Sequence, residues 1–224
     1  MRTKDLIDIA LGKQKSDLVI KNANLVNVCS GEIYETDIAI ARGLIVGVGV
    51  GRYDSKKGID AQNKYAVPGL IDGYTHIEMS MLSVTEFAKA VVPRGTTAVV
   101  ADPHEIANVL GVGGIKAILE EAKATPLKVF CMASSCVPST DPELGLETSG
   151  ARIGHEEIKE VLQMEGVIGL AEVMNYSGVI AKEEEVWRKI AVAKAVEPLI
   201  EALNDEDGDV RKSAKGALDK IKAK

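Results

Sequence analysis

Hydrophobic and polar positions change rhythm twice along the chain. An amphipathic stretch, "KDLIDIALGKQ", predicts one short helix ending near Gly12. Residues 17–65 then alternate brief β-rich runs with turn residues. "DLVIKNANLVNV", "GEIYETDIAIARGLIVGVGVG" and "KGIDAQNKYAV" are punctuated by Gly31, Gly43 and Asn63-Lys64, the pattern of a small antiparallel β domain. From about residue 66 the apolar residues gather into short continuous runs at 67–72, 97–101, 128–133 and 167–171. Such runs belong to strands covered on both faces of a parallel sheet. Helical periods lie between them. "SVTEFAKAVVPRG" opens with Ser83 and Glu86 at capping-box spacing, "GGIKAILEEAKATP" stops before Pro126, and "HEEIKEVLQMEG" stops at Gly166. Strand, loop and helix in alternation predict βα units and an α/β fold class.

After Val179 the pattern becomes charged and helical. Leu199, Ile200 and Leu203 form one apolar face; Val210, Ala214, Ala217, Leu218 and Ile221 form another, with a turn at 204–208. "AVEPLIEALNDEDGDVRKSAKGALDKI" resembles one HEAT-type helical repeat, a C-terminal helical hairpin. A lone repeat cannot bury its own apolar face and needs a neighbouring surface. Three regions are therefore predicted: a β-rich domain at 1–65, a βα region at 66–180 and a helical tail at 181–224.

Composition narrows the partners. The 224 residues are 46% hydrophobic but only 4% aromatic, which favours a core of branched aliphatics over a base-stacking surface. A net charge of −6 without a basic stripe argues against nucleic acid. No apolar run approaches the ~18 residues of a membrane span, and no signal-peptide core is present. Cys29, Cys131 and Cys136 form no C-x-x-C pair, the usage of a reduced, cytoplasmic protein. Buried structural thiols are the expected state of Cys131 and Cys136, with metal thiolates the rarer alternative.

Two apparent motifs carry no chemistry. "GVGVGR" has the outline of a dinucleotide loop, but Arg52 takes the place of the third glycine and no helix follows, so a glycine-rich hairpin is expected. "DEDGDV" has acidic residues out of register with a calcium loop, and Ala214 stands where the bidentate Glu belongs. It reads as a helix–helix turn with Asp209 as N-cap.

The ends of the four βα strands are different. Past the first come Asp72 and His76, past the second Asp102, His104 and Glu105. Ser134, Ser135 and Cys136 follow the third, and Glu172 and Asn175 the fourth. Ligands of parallel α/β folds bind where such ends converge. Imidazole with carboxylate suits Zn2+, Fe2+ or Mn2+, and a carboxylate can bridge two such ions around a hydroxide. His155 opens a helix and is expected at the surface.

"PGLIDGYTHIE" resembles the first barrel strand of the amidohydrolase superfamily. "TEFAKAVVPRGTTAVVADPHEIANVLG", "SSCVPS" and "GLAEVMNYSGVI" are similar to adenine deaminases, the resemblance running from about Leu6 to Ile180. It implies a small β domain and a (β/α) TIM-type barrel, present here as an incomplete barrel of about four strands. It also implies deamination of adenine to hypoxanthine and ammonia in purine salvage, at a two-metal centre holding Mn2+ or Fe2+. His76 would be the second histidine of the strand-one pair and Glu172 the metal-bridging carboxylate. Asp102, His104 and Glu105 would line the pocket as further polar or metal-associated groups. A metal-bound hydroxide would attack the amidine carbon while a carboxylate shuttles protons.

The sequence departs from the family at three points. Tyr74 stands where the strand-one pair has its first histidine, and Met79 where the family usually has Ser. The motif pattern also stops after the fourth strand, whereas a full barrel has eight strands and typically about 250 residues. A half barrel exposes strand edges and apolar surface. The tail helices at 184–203 and 209–222 are the expected cover, with a homo-oligomer paired through open edges as the alternative. Two readings follow: an adenine deaminase-type metallohydrolase acting on adenine or a related purine, and a non-catalytic truncated, chimeric or designed scaffold.

Overall fold

The computed structural model describes residues 2–140 and 147–193, together with Arg211 and Lys215. The chain divides into two units, Met1–Pro68 and Gly69–Lys224.

In the first unit a helix, α1 (Arg2–Ala10), precedes five strands: β1 (Ser16–Asn27), β2 (Glu32–Ala41), β3 (Leu44–Val48), β4 (Ser55–Asp60) and β5 (Tyr65–Ala66). Their order is β3-β2-β1-β4, with β5 also on β1. β2 pairs antiparallel with β1 and β3, but β4 and β5 run parallel to β1. The sheet is therefore mixed, which corrects the antiparallel domain expected from sequence. Alternation reports which face of a strand is buried; it carries no record of the direction of a neighbour distant in sequence.

The glycine-rich segment is likewise not a hairpin. It turns between β3 and β4, strands that do not pair. Asp37 holds this turn: its carbonyl accepts the Gly49 N–H at 3.0 Å and its buried carboxylate the Gly51 N–H at 2.8 Å. The same carboxylate accepts the Asn22 N–H at 3.1 Å, where β1 shifts register. Val19, Ala39 and Tyr53 form the small core beneath. Gly47 is dictated by packing, since a Cβ there would lie 2.0 Å from the Tyr53 hydroxyl.

The second unit contains β6 (Leu70–Thr75), α2 (Val84–Val91), β7 (Thr96–Ala101), α3 (His104–Leu110), α4 (Val112–Ala122) and β8 (Lys128–Ala133). It continues with α5 (His155–Val161), β9 (Val167–Leu170), α6 (Tyr176–Ala181) and α7 (Glu184–Val192). The four strands pair in chain order, β6-β7-β8-β9, and every pairing is parallel. β7, β8 and β9 fall on the apolar runs at 97–101, 128–133 and 167–171, while β6 begins three residues later than the run at 67–72 and ends at Thr75. One core cluster joins Ile77, Val84, Val99, Leu127 and Cys131; another joins Ala107, Ile115, Val137, Ile153 and Ile158. Leu70 and Ile71 on the edge strand β6 and Ile168 on β9 remain exposed.

Three local expectations change. The Ser83/Glu86 capping box does not form: the Ser83 side chain bonds no backbone N–H of α2. Instead Glu121 of α4 accepts the Thr85 N–H at 3.0 Å and its hydroxyl at 2.8 Å, while Glu86 pairs with Lys89. His155 is not a surface residue, because α7 packs back on α5. Its side chain is 23% exposed and its Nδ1 lies 2.9 Å from Glu185. The helix predicted to run to Gly166 ends at Val161, and Leu162 follows it as the C-cap.

Of the predicted tail, α7 is described. Val186, Trp187 and Ile190 pack with Leu170, Val173 and Val179, and the indole N–H of Trp187 donates to the Val179 carbonyl at 3.2 Å. Apart from Arg211 and Lys215, the HEAT-like repeat, with its turn at 204–208 and the N-cap assigned to Asp209, lies outside the described residues.

Candidate functional site

Parallel pairing brings the carboxyl ends of β6, β7, β8 and β9 to one side of the sheet, and each end carries a polar group. Gly69 starts this arrangement: a Cβ there would lie 1.9 Å from the Thr97 hydroxyl, so only glycine lets β6 approach β7. At the far end the Asp102 N–H donates to the Thr75 carbonyl, and the Ala171 N–H to the Ala133 carbonyl, both at 2.9 Å. Asp102, just past β7, is 1% exposed. The Ser134 hydroxyl past β8 donates to its Oδ1 at 2.6 Å.

Tyr74 completes this group. Its hydroxyl lies 3.1 Å from Asp102 Oδ2 and 3.1 Å from Glu172 Oε1, past β9. Burial, then the neighbouring Asp102 carboxylate, pushes the phenol above its ordinary range, so it stays protonated and acts as a donor. A phenol has one proton to give, yet faces two carboxylates. Both contacts become hydrogen bonds only when a second proton is present. Burial raises the Asp102 carboxyl above its ordinary range.

A second group sits on the loops after β6 and β7. His76 Nδ1 lies 3.1 Å from Glu105 Oε2, an ion-pair distance when the imidazole is charged. Neither atom has a partner in hydrogen-bond geometry, so the contact is one of proximity. Glu78 accepts the Ile106 N–H through Oε1 at 3.2 Å; its Oε2 and the Nδ1 of His104 are unpaired. Burial is the largest influence on Glu78 and raises it. Five buried side-chain atoms lack a partner among the described residues, and four belong to His76, Glu78, His104 and Glu105. Unsatisfied buried polar atoms are costly and concentrate where a ligand supplies the missing bonds.

The remaining strand-end residues are structural supports. The Ser135 hydroxyl donates to the Glu172 carbonyl and lies 3.1 Å from Cys136 Sγ, which receives the Asn175 N–H at 3.3 Å. Asn175 caps α6 by accepting the Gly178 N–H at 2.9 Å. Asp72 is exposed and accepts the Tyr74 N–H at 3.2 Å. Cys131 is a core thiol that burial pushes up to about 12.

Two roles escaped the sequence reading. Glu78 was signalled only by following His76 at two residues. Lys189 of α7 reaches the Ser135 carbonyl at 3.0 Å, and burial lowers its ammonium; one Lys in a charged helix gives no signal of this.

The donors do not form a metal cage. Among the described residues no three His, Cys, Asp or Glu side chains are grouped to hold a metal ion. Asp102 and Glu172 share the Tyr74 hydroxyl, while His76 faces Glu105. A metal therefore does not fit these residues as they stand.

Residues 65–220 match the family model described as Amidohydrolase family. The chain belongs to the amidohydrolase family. The match continues beyond Ile180, where the resemblance carried by short motifs stops. Among curated relatives of this amidohydrolase, the adenine deaminase of Archaeoglobus fulgidus is 55% identical over 196 residues, 88% of this chain and 34% of that protein. The adenine deaminase of Clostridium acetobutylicum is 48% identical over 198 residues, with 88% and 34% covered. The amidohydrolase chain thus spans about a third of the length of the relatives it matches.

Solved structures share its fold at low identity. N-acyl-D-glutamate deacylase from Bordetella bronchiseptica, complexed with zinc and a phosphonate inhibitor, aligns with a TM-score of 0.58 at 16% identity, covering 81% of this chain and 44% of that one. Atrazine chlorohydrolase from Arthrobacter aurescens, complexed with zinc, aligns at 0.50 and 18%, covering 64% and 41%. No helix among the described residues of the amidohydrolase is long and apolar enough to cross a membrane.

Proposed function

We propose that this chain carries the purine-facing part of an adenine deaminase-type site, whose reaction is hydrolysis of adenine to hypoxanthine and ammonia. The observation that carries this reading is the gathering of unpaired buried atoms of His76, Glu78, His104 and Glu105 at the carboxyl ends of β6 and β7. A purine edge offers ring nitrogens that accept and an exocyclic amine that donates, the complement of unpaired imidazole and carboxylate groups. The 55% identical relative named adenine deaminase supports that choice of ligand.

In this reading His104 and Glu105 contact the base, and Glu172 or Glu105 takes the proton of the attacking water and returns it to the departing amine. The family resemblance nominates His76, Asp102 and Glu172 as ligands of Mn2+ or Fe2+, and related folds have been crystallised with zinc. Since the described donors do not form a cage, no step is assigned to a metal. The exposed Leu70, Ile71 and Ile168 on the edge strands suit pairing with a second copy.

Calorimetric titration of the chain with adenine tests the binding part. Saturable binding that is weakened at least tenfold in His104→Ala is expected. Absence of both binding and hypoxanthine formation would overturn the reading. A second reading, a non-catalytic scaffold, is favoured by the Tyr74 hydroxyl between Asp102 and Glu172. It predicts binding without turnover or metal uptake.

A further inference from the structure

Where a metal centre would join the strand ends, this chain places a phenol. We infer that the Tyr74 hydroxyl does the structural work of a cation here, cross-linking Asp102 and Glu172 as a metal-independent pin between β6, β7 and the end of β9. The inference rests on geometry and not on the proposed reaction.

The Tyr74 oxygen lies 3.1 Å from each carboxylate, and the residues it joins are 28 and 98 positions away in sequence. Carboxylates this close to one group repel each other unless a positive charge or shared protons intervene. A divalent ion meets that need by charge. Here the phenolic hydroxyl, set between the two carboxylates, meets it as a hydrogen-bond donor. The arrangement is anchored from behind, because Ser134 donates to the other Asp102 oxygen at 2.6 Å and Ser135 holds the Glu172 carbonyl. His76, the nearest imidazole in sequence, lies against Glu105 and stands edge-on to the Tyr74 ring at 5.2 Å between centroids. No group of three metal-binding side chains is available among the described residues. Substituting a phenol for an imidazole thus exchanges a ligand for a cross-link.

The test uses the intact chain and reads stability and metal content, so its result stands apart from adenine turnover. The wild-type chain is expected to keep its melting temperature within about 1 °C with EDTA, Mn2+ or Zn2+, because a ligand that does not bind the native state cannot shift unfolding. Elemental analysis after expression with added manganese should find substoichiometric metal. Tyr74→Phe, which keeps the ring and removes the hydroxyl, is expected to melt about 2–6 °C lower. Glu172→Ala, which removes the acceptor, should melt lower as well, and the double variant no lower than the worse single one, since both remove the same bridge. Stoichiometric metal with a metal-dependent rise in the wild-type melting temperature would overturn the inference. So would a Tyr74→Phe chain as stable as wild type, or additive effects in the double variant.

Discussion

The Glu121 carboxylate of α4 accepts both the backbone N–H and the hydroxyl of Thr85 at the first turn of α2, at 3.0 and 2.8 Å. A helix start that reads as self-capping is closed instead by a residue 36 positions away. Donation from Thr85, Ser83 and Val84 lowers the Glu121 carboxyl from 4.5 to about 2.

That depression sets a pH dependence. The folded-state value lies below the unfolded one, so the stabilisation is fully present above about 4.5 and is lost as pH falls from there towards about 2. Glu121→Gln is expected to cost about 1–2 kcal/mol at pH 6, reduced from a fully buried case by solvent. The gap between wild type and variant in urea unfolding should narrow between pH 4.5 and pH 2.5. A gap that stays constant over that range would remove the carboxylate from this role.

Trp187 fixes α7. With its ring in a cluster with Val186, Ile190, Leu170, Val173 and Val179, Trp187→Ala should destabilise the second unit by roughly 3 kcal/mol. Trp187→Phe keeps most of the packing and gives up the bond to the Val179 carbonyl, at about 1 kcal/mol. Chemical denaturation of both variants checks the order, and equal losses would show that packing is not the main contribution.

Asp37 supports the first unit alone. Asp37→Ala leaves the Asn22 and Gly51 N–H groups without their acceptor, and a loss of about 2–4 kcal/mol is expected. Hydrogen exchange should report it as faster exchange at Asn22 and Gly51, with β6–β9 unchanged. Equal acceleration in both units would contradict a local role.

Tyr74→His alone should leave hypoxanthine formation at background. It restores one imidazole beside His76, but the described residues contain no group of three metal-binding side chains for it to join. Robust turnover of adenine by this variant, assayed with manganese or iron supplied, would show that the single imidazole was the limiting loss.

The parallel sheet was legible because short continuous apolar runs alternate with helical periods along the chain, although the edge strand β6 proves exposed. The candidate mouth was legible from the same pattern: in a parallel sheet the polar residues that follow each strand share one end, which is where Asp102, His104, Glu105 and Glu172 lie. His155 was misplaced because a helix start looks exposed until another helix packs on it, as α7 does. The first sheet was misread because β4 joins β1 from a distance, through a turn that Asp37 organises.

By itself, then, the sequence determined which segments are strands and helices, which strand ends carry polar side chains and which family supplies the fold; these follow from local periodicity and short motifs. Tertiary structure alone decided what Tyr74 does. Read along the chain it is a missing histidine, and only the approach of Asp102 and Glu172 to its hydroxyl makes it a bridge. The same holds for the Glu121 cap and the parallel β1–β4 pair. Each depends on the distance between groups far apart in sequence, and no local pattern encodes that distance.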